Sequence, residues 1–189
     1  MGYKHLLNTE SHWVTRKGKA FLSDRMVMHG KDLHKELCNY NWIHLYLYAV
    51  LGRDPGENVA KMINYYWVSS SYADPSIWPN HVTALAGTVR STASLALMAG
   101  LSISEASLYG RRPEVRALDF FYRAGRWCDD GGQLIDFVDQ EKAKGRILYG
   151  YGRPLAKTDE RIFYTLEKAK ELGLADGRHL KMALDVQRH

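Results

Sequence analysis

Apolar residues along this chain recur mostly at helical spacing, and the breaks fall at glycine and proline. NWIHLYLYAVL (41–51) is apolar on almost every side, the pattern of a buried helix, and GRDP (52–55) ends it. GENVAKMINYYWVSSS carries Val59, Met62, Ile63, Tyr66 and Trp67 as about one stripe. SYADPSIWPN (71–80) holds two prolines and cannot continue a helix. HVTALAGTVRSTASLALMAG (81–100) resumes with small residues that let helices approach closely, so a central helix is expected there. PEVRALDFFYRAGRW opens with a proline suited to a helix start. GQLIDFVDQEKAKG places Leu134, Phe137 and Val138 on one face and closes at Gly145. TDERIFYTLEKAKELG has Thr158 as its expected N-cap, and GRHLKMALDVQRH is a last helix. No strand-like alternation, internal repeat or low-complexity tract stands out. The pattern predicts an all-α chain of many helices joined by short loops.

Composition narrows the class. A chain of 189 residues suits one domain, residues 1–189, with 46% apolar and 25% charged residues. No apolar run is long enough for a membrane helix, and the polar N-terminus lacks the apolar core of a secretory signal. Cys38 and Cys128 have no metal or disulfide spacing, so no metal is expected and a cytoplasmic protein fits. The net charge of +5 is scattered apart from a knot at Arg111, Arg112 and Arg116, which favours small anions over nucleic acid.

The most suggestive stretch is GRILYGYGRPLAKTDER (145–161). A Gly-x-Gly turn followed by basic residues can cradle an anion; it can equally be a helix connector. Arg161, in the first turn of the next helix, can grip a carboxylate or pair with a neighbouring acid. His81, just after the WPN loop, is a candidate for the same cleft or a structural histidine. GRRPEVR reads as a phosphate patch or a solvated face. Acidic neighbours make Cys128 a poor nucleophile. No Gly-x-Ser-x-Gly, P-loop or dinucleotide fingerprint is present.

Several segments, in order, resemble the citrate synthase superfamily, which includes citryl-CoA lyase and the C-terminal part of ATP-citrate lyase. They are TRKGKAF, HGKDLHKEL, WIHLYLYAVLGRDPG, LYGRRPEV, GYGRPLAKTDER and HLKMALDVQ, covering roughly residues 15–186. The resemblance implies a citrate-synthase-like multi-helical bundle. It also implies a homodimer acting on an acyl-CoA thioester and a di- or tricarboxylate, with C–C bond formation or cleavage. In that chemistry a carboxylate base removes the proton beside the thioester carbonyl and a neutral histidine stabilises the enol. A second histidine polarises the ketone, and arginines hold the carboxylates.

Carried over residue by residue, Arg161 matches the carboxylate-gripping arginine. Gly150, Tyr151, Gly152 and Lys157 match the loop that meets coenzyme A, here as part of the substrate. Arg153 stands at the ketone-polarising histidine, and Tyr109 at the enol-stabilising one. The family's earlier Asp-His pair falls at Ala73 or Asp74. The base aspartate is expected beyond His189, where the family's C-terminal segment would lie. Arg153 stabilises an oxyanion but cannot shuttle a proton near neutral pH. Tyr109, with an ordinary pKa of about 10, donates a hydrogen bond but is a weak base. The expectation is therefore an altered, degenerate active site, or a catalytically inert subunit that works through a second chain supplying the missing residues.

Overall fold

The computed structural model describes residues 15–21, 24–108, 110–152 and 159–189. It divides into two compact units, up to Val68 and from Ser69 onward. The chain is mostly helical, as the periodicity predicts, with one small sheet that the periodicity does not reveal.

That sheet opens the first unit. Strands β1 (Gly18–Phe21), β2 (Arg25–Met28) and β3 (Lys31–Asp32) pair antiparallel in sequence order. Phe21 faces Arg25, and Met28 faces Lys31 across a two-residue turn. His29 and Gly30 in that turn both have positive φ, 46° and 86°, the sign a tight hairpin needs to match strand twist. The strands are too short for alternation to show in sequence; local turn chemistry makes them.

Helix α1 (Trp42–Leu51) packs on the turn through Tyr48. The Tyr48 hydroxyl donates to the His29 carbonyl at 3.1 Å, and a His29 ring nitrogen lies 2.9 Å from the Ala49 carbonyl. Asn41 caps α1 by accepting from the His44 N–H, and Gly52 ends it in the left-handed region. Tyr48 is the buried residue of this helix; Trp42 remains 77% exposed, so the all-round apolar pattern does not translate into all-round burial within this chain. Helix α2 (Glu57–Ser69) buries Ala60 and Met62, while Trp67 of the expected stripe is exposed.

In the second unit the expected central helix divides. Helices α3 (Trp78–Thr88) and α4 (Ala93–Ile103) are separated by a turn in which Arg90 has φ 55°. The small residues do permit close approach: a Cβ on Gly100 would sit 2.2 Å from the Thr83 hydroxyl and 2.9 Å from the Pro79 carbonyl. The larger residues of α4 point away from this contact, and Leu95, Leu97, Met98 and Leu101 are all exposed.

Helix α5 (Arg111–Asp129) begins at Gly110, whose φ of 85° and 2.1 Å approach of an added Cβ to the Ser104 carbonyl both require glycine. Pro113 falls inside its first turn, as expected. Helices α6 (Leu134–Ala143) and α8 (Arg178–Arg188) pack with α5 around Phe120, Ala124, Phe137, Val138, Met182 and Val186. The predicted Leu134, Phe137 and Val138 face is the one that meets this core. Helix α7 (Arg161–Glu171) buries Ala169. No helix among the described residues is long and apolar enough to cross a membrane.

Candidate functional site

The loop after α6 is built on a buried charge. Glu141 is 2% exposed, accepting from Arg123 at 2.8 Å and from Arg146 at 2.9 and 3.1 Å. Arg123 also binds Asp119 at 2.8 Å and lies 5.4 Å from the Phe137 ring centre. Burial pushes the Glu141 carboxyl up, but the hydrogen bonds and charges of the two arginines outweigh it and hold the group below its ordinary range. Arg146 thereby fixes how the chain leaves the Gly145 turn, where φ is 68°.

Two tyrosines then pin the loop. The Tyr149 hydroxyl bonds the Arg116 guanidinium, which also lies 5.1 Å from its ring centre. Tyr151 packs against Phe121 and donates to the Ala183 carbonyl at 3.0 Å; burial pushes its phenol up to about 12. Gly150 between them has φ 97°, and a Cβ there would meet Ala117 at 3.6 Å. The turn is thus seated on α5 and α8 by its tyrosines, and a Cβ on Gly152 would meet no atom of the described residues within 4 Å.

Arg161 opens α7 in a fixed geometry. Its Nε and one terminal nitrogen bond both carboxylate oxygens of Asp159, at 2.8 and 2.5 Å. Asp159 also accepts the Arg161 backbone N–H at 3.0 Å, so one carboxylate takes the first amide of the helix and holds the guanidinium. Asp159 is the first cause raising the Arg161 pKa further above its ordinary value. The pairing with a neighbouring acid, one of the two readings of Arg161, is present in the structure. The Tyr72 ring lies 6.0 Å from the guanidinium carbon, which joins Arg161 to the SYADP loop.

That loop is a knotted turn. Asn80 donates to the carbonyls of Tyr72 and Asp74, at 2.8 and 3.0 Å. Asp74 accepts the Ser76 N–H at 2.7 Å, and this bond lowers its pKa. His81 is exposed in the first turn of α3, four residues after Ile77, whose carbonyl accepts its N–H. The structure therefore brings the loop of Asp74 to Arg161. Among the described residues no hydrogen bond or ring contact joins the Gly150–Gly152 turn to Arg161. Tyr109, Arg153, Lys157 and the expected cap Thr158 lie outside the described residues.

Asp159, Tyr72 and Glu141 are the residues that sequence reading passes over. The Asp-x-Arg spacing before a helix start is the one signal that points to Asp159. A further cluster, also unforeseen, lies in the first unit: Asp54 bonds the Tyr40 hydroxyl at 2.6 Å, His44 at 2.9 Å and the Gly56 N–H at 2.8 Å. It clips the GRDPG turn to the start of α1. Tyr40 is pushed up to about 12, chiefly by its bond to Asp54.

No family model and no curated protein matches this sequence. Solved structures do match, and they show the fold: it is the mostly helical fold seen in citryl-CoA lyase and ATP citrate lyase structures. One such structure is citryl-CoA lyase from Hydrogenobacter thermophilus, at 19% identity and TM-score 0.74, covering 93% of this chain and 66% of that one. Two others are ATP citrate lyases, each matching all of this chain and 31% of its own. The Methanosaeta concilii enzyme, in complex with (3S)-citryl-CoA, is 18% identical with TM-score 0.75. The Methanothrix soehngenii enzyme, in complex with citrate and coenzyme A, is 17% identical with TM-score 0.74. The chain thus spans about two thirds of the lyase and about a third of either ATP citrate lyase.

Proposed function

We propose that this chain is a citrate-lyase-like protein that binds a di- or tricarboxylate and an acyl-CoA thioester. The observation that carries the reading is Arg161, held at the head of α7 beside the Tyr72–Asp74 loop in a fold otherwise seen with citryl-CoA or with citrate and coenzyme A. In this reading Arg161 takes a carboxylate, with Asp74 and His81 lining the same side. The loop of Gly150, Tyr151, Gly152 and Lys157 meets the coenzyme, with the Tyr151 side chain anchoring the turn on the protein and Gly152 letting the backbone approach. Tyr109 donates to the thioester oxygen and Arg153 stabilises charge on the second carbonyl. The chain acts as a single functional domain, paired as a homodimer through the exposed apolar face of α4.

A second reading has a specific observation behind it. On the resemblance, the three positions that the family fills with histidine are matched by Tyr109, Arg153 and Ala73 or Asp74. In this reading the chain keeps the ligands but not the proton transfer, and works through a partner chain.

Calorimetry with citrate, oxaloacetate, coenzyme A and acetyl-CoA tests the proposal. Micromolar to millimolar binding of a carboxylate, lost in Arg161→Ala, is expected. Absence of binding to all four ligands would reject the proposal. Release of free thiol from citryl-CoA or acetyl-CoA, followed by a thiol reagent, separates enzyme from binder. A null with ligand bound selects the partner reading.

A further inference from the structure

We infer that Asp159 is a positioning residue that presents one edge of Arg161 to a carboxylate ligand. This rests on the proposed function for its ligand, but its geometry stands apart from it. A guanidinium has five N–H donors in a fixed fork. Asp159 takes the side-on pair, Nε and one terminal nitrogen, at 2.8 and 2.5 Å. The outer edge formed by the two terminal nitrogens keeps two N–H groups, one on each, with no acceptor among the described residues, enough for a second carboxylate in a bidentate grip. The Arg161 side chain is 43% exposed, while Asp159, which holds its other edge, is 21% exposed. Asp159 is itself immobilised, because the same carboxylate accepts the backbone N–H of Arg161 at 3.0 Å. An arginine in an exposed first turn would otherwise sample many rotamers, and fixing it in advance removes that ordering cost from ligand binding. The Tyr72 ring at 6.0 Å bounds the guanidinium on the side of the Asp74 loop.

The test uses the full chain with citrate as probe and two readouts. NMR of the Arg161 side-chain Nε–H, assigned by its loss in Arg161→Lys, reports the clamp without any ligand. In the wild type that proton exchanges slowly with water; in Asp159→Asn, exchange rises by about tenfold or more. Calorimetry then shows citrate binding weakened about tenfold in Asp159→Asn and partly restored in Asp159→Glu, with melting temperatures unchanged. Asparagine keeps an acceptor for the Arg161 backbone N–H, so folding is retained. Fast exchange with undiminished or tighter citrate binding would overturn the inference and leave the proposed function standing. Slow exchange surviving in Asp159→Asn would overturn it equally. Wild-type chain that binds no citrate, yet shows the slow Nε–H, would count against the proposed function and against the ligand half of the inference.

Discussion

A single carboxylate can hold a loop or a side chain, as Asp54, Glu141 and Asp159 do among the described residues. Glu141 is the buried case. Its folded pKa is depressed, so its stabilising contribution is present above the unfolded carboxyl pKa of about 4.3 and disappears as pH falls through the folded value. Thermal melts between pH 7 and pH 3 should therefore show wild-type stability falling below about pH 4.5. Glu141→Gln should be less stable at pH 7 by about 2 kcal/mol, since it leaves Arg123 and Arg146 without their acceptor's charge, and its melt should depend less on pH over that window. Equal pH dependence in both proteins would mean that Glu141 is not the group responsible. Little of this was legible residue by residue. Glu141 occupies the polar side of a helical repeat, and only the convergence of α5 with the α6–loop junction makes it a buried ion.

At the level of elements, periodicity did well wherever one face of a helix meets the core. Phe137 and Val138 were expected inside and are; α5, with Phe120 at 3% exposure, is the long helix that supplies the other side. Phe120→Ala should cost about 3 to 5 kcal/mol in urea unfolding, through lost apolar contact plus a residual cavity. A loss below 1 kcal/mol would show that the α5–α6–α8 core repacks freely. Periodicity failed in two places for two reasons. The β2–β3 pairing of the small sheet turns on His29–Gly30, a local backbone event that leaves no hydrophobic period. The division of 81–100 into α3 and α4 comes from a turn between small residues with no proline to announce it.

The molecule as a whole leaves large apolar side chains in solvent along α4, with Met98 at 64% exposure. A homodimer formed there should give twice the chain mass of 21.6 kDa in light scattering, and Leu97→Glu with Leu101→Glu should return it to the monomer mass. A wild-type monomer at high micromolar concentration would refute this pairing. The ordered segments that resemble citrate synthase relatives were readable from sequence, and so were the helical class and the Gly-Tyr-Gly loop, because each depends on residue identity at short spacing. The sequence also posed the two readings of Arg161 without choosing between them. Only the tertiary structure supplied Asp159 as the side-on partner, Tyr72 as the neighbouring ring and the tyrosine anchors of Gly150. Those depend on where separate helices and loops meet in space, and contacts such as Tyr151 with Ala183, 32 positions apart, have no signature in local spacing.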